Sequence, residues 1–229
     1  MNNYCLAAIL FFLISAFLVI SPAAAYAPEA VVLYDRGVTL LDGGNYSLAT
    51  GAFEQAIQRE PGYFEAWNGK ADALNRAQEY SVALAASNNS IRINPAYVKG
   101  WINRGQILYS LGFMYEDQFH DTKTADAYYQ EQLNAFEKAT ALDPQNAEAW
   151  FNKGYALCGM GRCQEGIVAF ERVAELDPNY PYLEANIKNA RILAESQKPF
   201  YVKYAVWLAL LVILGAGIGW WAYSRKKNR

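Results

Sequence analysis

The sequence predicts an all-α chain of stacked helical hairpins closed by a single membrane-spanning helix. Two observations predict it. Landmark residues recur 34 positions apart, with Trp67 and Trp101, Pro61 and Pro95, and Pro144 and Pro178 each separated by that interval, and a period of this size marks a repeat architecture. The 20 residues from Tyr204 to Tyr223 carry no charge. At about 1.5 Å per residue, a helix of that length spans about 30 Å, the depth of a bilayer core. The chain has 229 residues, 53% hydrophobic and 18% charged, which suits a packed core and excludes a disordered polymer.

From the start of the chain, Leu6 to Ile20 is an apolar run broken only by Ser15, and Ala23 and Ala25 follow in a small-x-small pattern. Residues 1–25 therefore read as a signal peptide cleaved after Ala25, with an uncleaved N-terminal anchor as the alternative. At the other end the 204–223 span is flanked by Tyr201, Tyr204 and Trp207 on one side and Trp220, Trp221 and Tyr223 on the other. Aromatic rings of this kind favour the headgroup region. Arg225, Lys226, Lys227 and Arg229 make residues 224–229 a basic tail, so the positive-inside rule places the C-terminus in the cytosol and the middle of the chain outside. That placement is the same whether or not the N-terminal segment is removed. Gly215 and Gly219 form a Gly-x-x-x-Gly pattern that would support a homodimer through the span.

Between these ends the landmarks divide residues 30–180 into four copies. Copy four, 147–180, carries Trp150, Gly154, Leu157, Gly166, Phe170 and Pro178. Copy one, 30–63, has Leu33 at the Trp position but keeps Gly37, Leu40, Ala49, Phe53, Ala56 and Pro61. Copy two, 64–97, has Trp67, Ala71, Leu74, Ala83 and Pro95, with Ser87 in place of Phe. Copy three, 98–146, has Trp101, Gly105, Leu108, Phe136, Ala139 and Pro144 and is 15 residues too long. Each copy reads as two antiparallel helices: small residues let the backbones approach, Trp and Phe fill the space, and Pro stops the second helix. Residues 181–197 follow as an amphipathic capping helix with Leu183, Ile187, Ala190 and Leu193 on one face.

This pattern of Trp, Gly, Leu, Ala, Phe and Pro at fixed offsets resembles the tetratricopeptide repeat over 151 of the 229 residues. The resemblance implies a helical-hairpin solenoid whose concave groove, lined by the first helix of each copy, holds a protein or peptide partner. Carried onto this chain, the groove positions are Tyr34 and Val38 from copy one, Asn68, Asp72 and Asn75 from copy two, Lys99, Gln106 and Tyr109 from copy three, and Phe151 and Tyr155 from copy four. The family's clamp for a C-terminal carboxylate needs cations that Tyr34, Val38, Asn68 and Asp72 do not supply. The layout as a whole resembles the exported, membrane-anchored tetratricopeptide proteins of prokaryotes, methanogenic archaea among them.

The extra residues of copy three fall between Gly112 and Phe136, with no Gly or Pro from Phe113 onward. Two lengthened helices joined near His120 to Thr122 and projecting as a hairpin are the expectation, with Asp121 or Thr122 as the cap. Phe113, Met114, Tyr115, Phe119, Tyr128 and Tyr129 on that projection either contact a partner or membrane surface or pack only against one another. His120, the single histidine of the chain, reads as part of a solvated turn.

The chemistry that remains is sparse. Residues 29–198 hold all 22 acids and 15 of the 20 cations, a balance of minus 7, which disfavours nucleic acid. No nucleophile–base pair, phosphate-cradling loop or metal-ligand cluster assembles, so neither an enzyme nor a cofactor is expected. Cys158 and Cys163 flank a tight turn outside the membrane and would close a local disulfide. Asn45 and Asn88 begin glycosylation sequons. The reading is thus a membrane-anchored extracytoplasmic adapter, scaffold or assembly factor, with a self-associating surface array as the alternative.

Overall fold

The computed structural model describes residues 26–198 and 200–203. The expected signal peptide at 1–25, the spanning helix at 204–223 with Gly215 and Gly219, and the tail at 224–229 lie outside the described residues. Among the described residues no helix is long and apolar enough to cross a membrane. All regular structure here is helical, as expected, and it falls into two compact units that divide between Tyr97 and Val98.

The first unit holds α1 (Pro28–Asp42), α2 (Tyr46–Arg59), α3 (Phe64–Arg76) and α4 (Tyr80–Ile93). Pro28 opens α1, where its missing N–H costs nothing. The α1–α2 hairpin closes on Phe53, which is fully buried. A methyl group added to Gly37 of α1 would sit 2.6 Å from the Phe53 ring, and one added to Gly69 of α3 would sit equally close. Phe53 therefore lies between two helices that can approach it only because they present hydrogen there. The Ser90 hydroxyl of α4 donates to the Phe64 carbonyl at 2.8 Å, which satisfies a buried hydroxyl and ties α4 to the start of α3.

The second unit holds α5 (Val98–Asp117), α6 (Thr122–Leu142), α7 (Ala147–Gly159), α8 (Cys163–Leu176), α9 (Leu183–Ser196) and the single turn α10 (Phe200–Lys203). Phe136 of α6 sits on Gly105 of α5, and Phe170 of α8 on Gly154 of α7, where an added methyl would lie 2.8 Å from the ring. The landmark Trp–Pro pairing has a direct cause: the indole N–H of Trp67 donates to the Pro61 carbonyl at 3.1 Å, and that of Trp150 to the Pro144 carbonyl at 3.0 Å. Lys70 and Lys153 lie over those same indoles, 5.8 and 5.4 Å from the ring centroids.

The extra residues of copy three lengthen both helices. α5 has 20 residues and α6 has 21, against 13 and 14 in α7 and α8. Seven residues are two turns, and the glycine–aromatic contact recurs at that interval: a methyl on Gly112 would lie 2.5 Å from the Tyr129 ring. The helices turn through His120, whose φ of 51° is left-handed. Asp121 caps α6 by accepting from the Thr124 N–H at 3.1 Å. Hydrogen bonding from the Thr124 side chain, then from its N–H, holds the Asp121 carboxyl below the ordinary carboxylate value.

α9 covers α8 with Leu183, Ala190 and Ala194, packed with Phe170 and Val173 and flanked by half-buried Ile187. Leu193, expected on this face, is instead 48% exposed. The buried stripe runs through 183, 187, 190 and 194, a four-three-four helical spacing that leaves 193 to one side.

The glycine contacts are testable by adding one methyl. Gly105→Ala presses on Phe136 and should lower the unfolding free energy by about 1–3 kcal/mol. Gly51→Ala in α2, where an added methyl meets nothing within 4 Å, should raise it by about 0.5–1 kcal/mol. Urea titration followed by circular dichroism measures both.

Candidate functional site

Three helices of the second unit enclose a cleft of about 510 Å³, within the roughly 300–1,000 Å³ common for ligand sites. α5 supplies Tyr109, Phe113 and Glu116, whose four-three spacing puts them on one face. α6 supplies Asp126, Tyr129 and Gln132, and α7 supplies Tyr155. Tyr109 is the central ring: its centroid is 6.5 Å from Phe113, 6.1 Å from Tyr129 and 6.4 Å from Tyr155, the last nearly edge-on at 76°. Phe113 and Tyr155 remain 53% and 51% exposed.

The polar groups of the cleft are carboxylates, neutral amides and tyrosine hydroxyls. The Tyr129 hydroxyl donates to Glu116 Oε2 at 2.7 Å. Burial, then that bond, raises the Tyr129 phenol above its ordinary value. Burial likewise raises Tyr109, with smaller contributions from Tyr155 and Glu116. Gln132 is only 5% exposed and lines the cleft. Asp126 is exposed. Among the described residues no Lys, Arg or His lines the cleft. Tyr109 and Tyr155 also wall an adjoining hollow of about 320 Å³, to which α9 contributes Asn186, Asn189 and Leu193.

The cleft joins two sets of residues that the sequence places apart, Tyr109 and Tyr155 from the expected groove and Phe113 and Tyr129 from the expected projection. The remaining projection residues gather elsewhere: Tyr115 lies 5.4 Å from both Phe119 and Tyr128, with Phe119 exposed and Met114 half-buried. Lys99 and Gln106 are exposed on α5. Phe151 is half-buried against Phe170 and Tyr180, at 5.5 and 4.9 Å, so it serves the core. In the first unit Tyr34 packs on Phe53 and Tyr63, and Val38 packs on the Leu41–Phe53 cluster. Asp72 is paired with Arg76 at 2.9 Å, Asn68 is half-buried, and Asn75 buries an Oδ1 that has no donor. Glu116, Asp126 and Gln132 escape sequence reasoning. The Tyr109–Phe113–Glu116 stripe is legible as one helix face, but the facing residues of α6 require the register of the hairpin.

One modification reading changes. The expected Cys158–Cys163 disulfide is not formed, and both thiols are free. Cys163 is buried at the start of α8 and its Sγ donates to the Cys158 carbonyl at 3.6 Å, so it is turned to backbone. Burial, followed by the Cys163 contact, pushes the Cys158 thiol up to about 12. Asn45 is exposed at the start of α2, an open acceptor. Asn88 lies exposed within α4, while its sequon partner Ser90 is fully buried. Among the described residues no three acidic, histidine or cysteine side chains converge to hold a metal.

Two tetratricopeptide repeat models match the chain, one over residues 34–98 and one over 135–166. A thermophilic TPR protein of Thermus thermophilus has a similar fold, with TM-score 0.61 and 18% identity over 80% of this chain and 99% of its own. YrrB, a TPR protein with an unusual peptide-binding site, gives 0.55 and 17% over 74% and 80%. MamA from Desulfovibrio magneticus gives 0.54 and 17% over 76% and 100%. No curated protein matches the chain.

The thiol chemistry is directly measurable. A thiol at about 12 holds on the order of one part in 10⁴ thiolate at pH 8. Iodoacetamide at that pH should therefore leave Cys158 unlabelled in the native chain, along with buried Cys163. Both should label fully in urea without reductant, as read by peptide mass mapping; failure to label in urea would mean a disulfide.

Proposed function

We propose that this chain, a tetratricopeptide repeat protein, is a membrane-anchored binding module that holds a protein or peptide partner outside the cytosol. Tetratricopeptide repeats are in general protein and peptide interaction domains, and YrrB, of similar fold, has a peptide-binding site. The observation that carries the reading is the Tyr109–Phe113–Tyr129–Tyr155 cleft. Large rings with few rotatable bonds, half of their surface open to solvent, are what protein recognition sites use as anchors. The adjoining hollow toward α9 extends the surface beyond one side chain and suits an extended segment.

The location rests on the sequence. The uncharged 204–223 stretch, its flanking aromatics and the four cations after it support one span with the repeats outside. In that reading the role is that of an adapter, scaffold or assembly factor. The glycines at 215 and 219 favour a second reading, a self-associating surface array.

A membrane-impermeant crosslinker applied to intact cells carrying the tagged full chain tests both parts. Discrete partner bands that disappear in the Phe113→Ser, Tyr155→Ser double variant are expected. Crosslinks only between copies of the chain, unchanged by the variant, would favour the array, and protection of the chain from the reagent would contradict the external location.

A further inference from the structure

The geometry points to the guanidinium of an arginine side chain, presented by a partner protein, as the group that enters the α5–α6–α7 cleft. This rests on the binding-module reading and adds the ligand chemistry. The charge of the cleft is one-sided: Glu116 and Asp126 line it, and no cationic side chain among the described residues does. The carboxylates are too few for a metal ion, since no three ligating groups converge, so the complementary cation is organic. The Tyr109, Phe113, Tyr129 and Tyr155 rings supply negative π faces, which attract a cation within about 6 Å of the centroid.

Gln132 narrows the choice. It is 95% buried, as its 5% exposure states, and it lines the cleft. Its amide atoms are not sealed from solvent, so a donor brought into the cleft can reach them. A flat guanidinium stacks between rings while its five N–H groups radiate in plane toward Glu116, Asp126 and the Gln132 carbonyl. An ammonium has three donors on a compact, strongly hydrated point charge and gains less from flat walls.

The test is equilibrium binding of the full chain, in detergent micelles, to fluorescein-labelled peptides Ala-Gly-Ala-Xaa-Ala-Gly-Ala, with arginine, lysine, citrulline or methionine at Xaa. The arginine peptide should bind tightest, and citrulline, of the same shape but uncharged, at least tenfold weaker, about 1.4 kcal/mol. Glu116→Gln and Asp126→Asn should each weaken the arginine peptide several-fold and leave the methionine peptide unchanged. Gln132→Leu should weaken arginine binding several-fold while leaving the methionine peptide unchanged, a split that a purely structural role would not produce. Equal affinity for arginine and citrulline, a lysine peptide that binds tightest, or no peptide binding at millimolar concentration overturns the assignment. Partner crosslinks that persist beside such a result would leave the binding-module reading standing, so the two fail separately.

Discussion

The hairpins close where an aromatic ring on the second helix rests on a backbone position of the first that carries no side chain. Phe53 does this against Gly37, Phe136 against Gly105 and Phe170 against Gly154, and all three rings are fully buried. Burial of such a ring contributes about 1.5–3 kcal/mol. A single methyl on the facing glycine would force the helices apart or the ring out of place. Copy two follows the same constraint in reverse. The register that aligns Gly37 with Phe53 aligns Ala71 with Ser87, so where the ring is lost the facing position carries a methyl. Both residues are fully buried, and the Ser87 hydroxyl is satisfied by the Leu84 carbonyl of its own helix at 2.9 Å.

The insertion in copy three obeys the rule and thereby builds the candidate site. Gly112 and Tyr129 repeat the contact two turns beyond Gly105 and Phe136, which holds the lengthened α5 and α6 together. The extension carries Phe113, Glu116, Asp126 and Tyr129 alongside α7, where Tyr155 completes the cleft. Tyr129 thus has two roles: its ring packs the hairpin and its hydroxyl positions Glu116. A standard-length copy would end α5 before Glu116 and start α6 after Asp126, leaving neither the carboxylates nor half of the aromatic wall.

Much of the fold was legible because its causes are local. The Pro–Trp interval of six residues is one indole–carbonyl bond, the 34-residue period follows from repeating the hairpin, and the Asp121 cap could be read from residue type beside an unbroken helical stretch. The site was legible in part. Tyr109 and Tyr155 came from repeat offsets and Phe113 and Tyr129 from the insertion, but their meeting depends on how α5 and α6 pair. Gln132 carried no signal because an amide within a polar-looking helix becomes unusual only when the fold buries it against a cleft. Phe151 and Tyr34 sit at offsets a ligand would use and were taken by the core. Cys158 and Cys163 are near in sequence and their thiols meet, yet both are free, with the Cys163 Sγ donating to the Cys158 carbonyl.

If glycine–aromatic seating governs these hairpins, the exchanged pair in copy two is where it can be installed anew. A double-mutant cycle on Ser87→Phe and Ala71→Gly, read as unfolding free energies from urea titration, measures this directly. The account predicts that Ser87→Phe alone destabilises, that Ala71→Gly alone destabilises, and that the two together recover stability with a favourable coupling of about 1–3 kcal/mol. Additive losses would contradict it and would mean that the glycines are tolerated by the hairpins and not required by their rings.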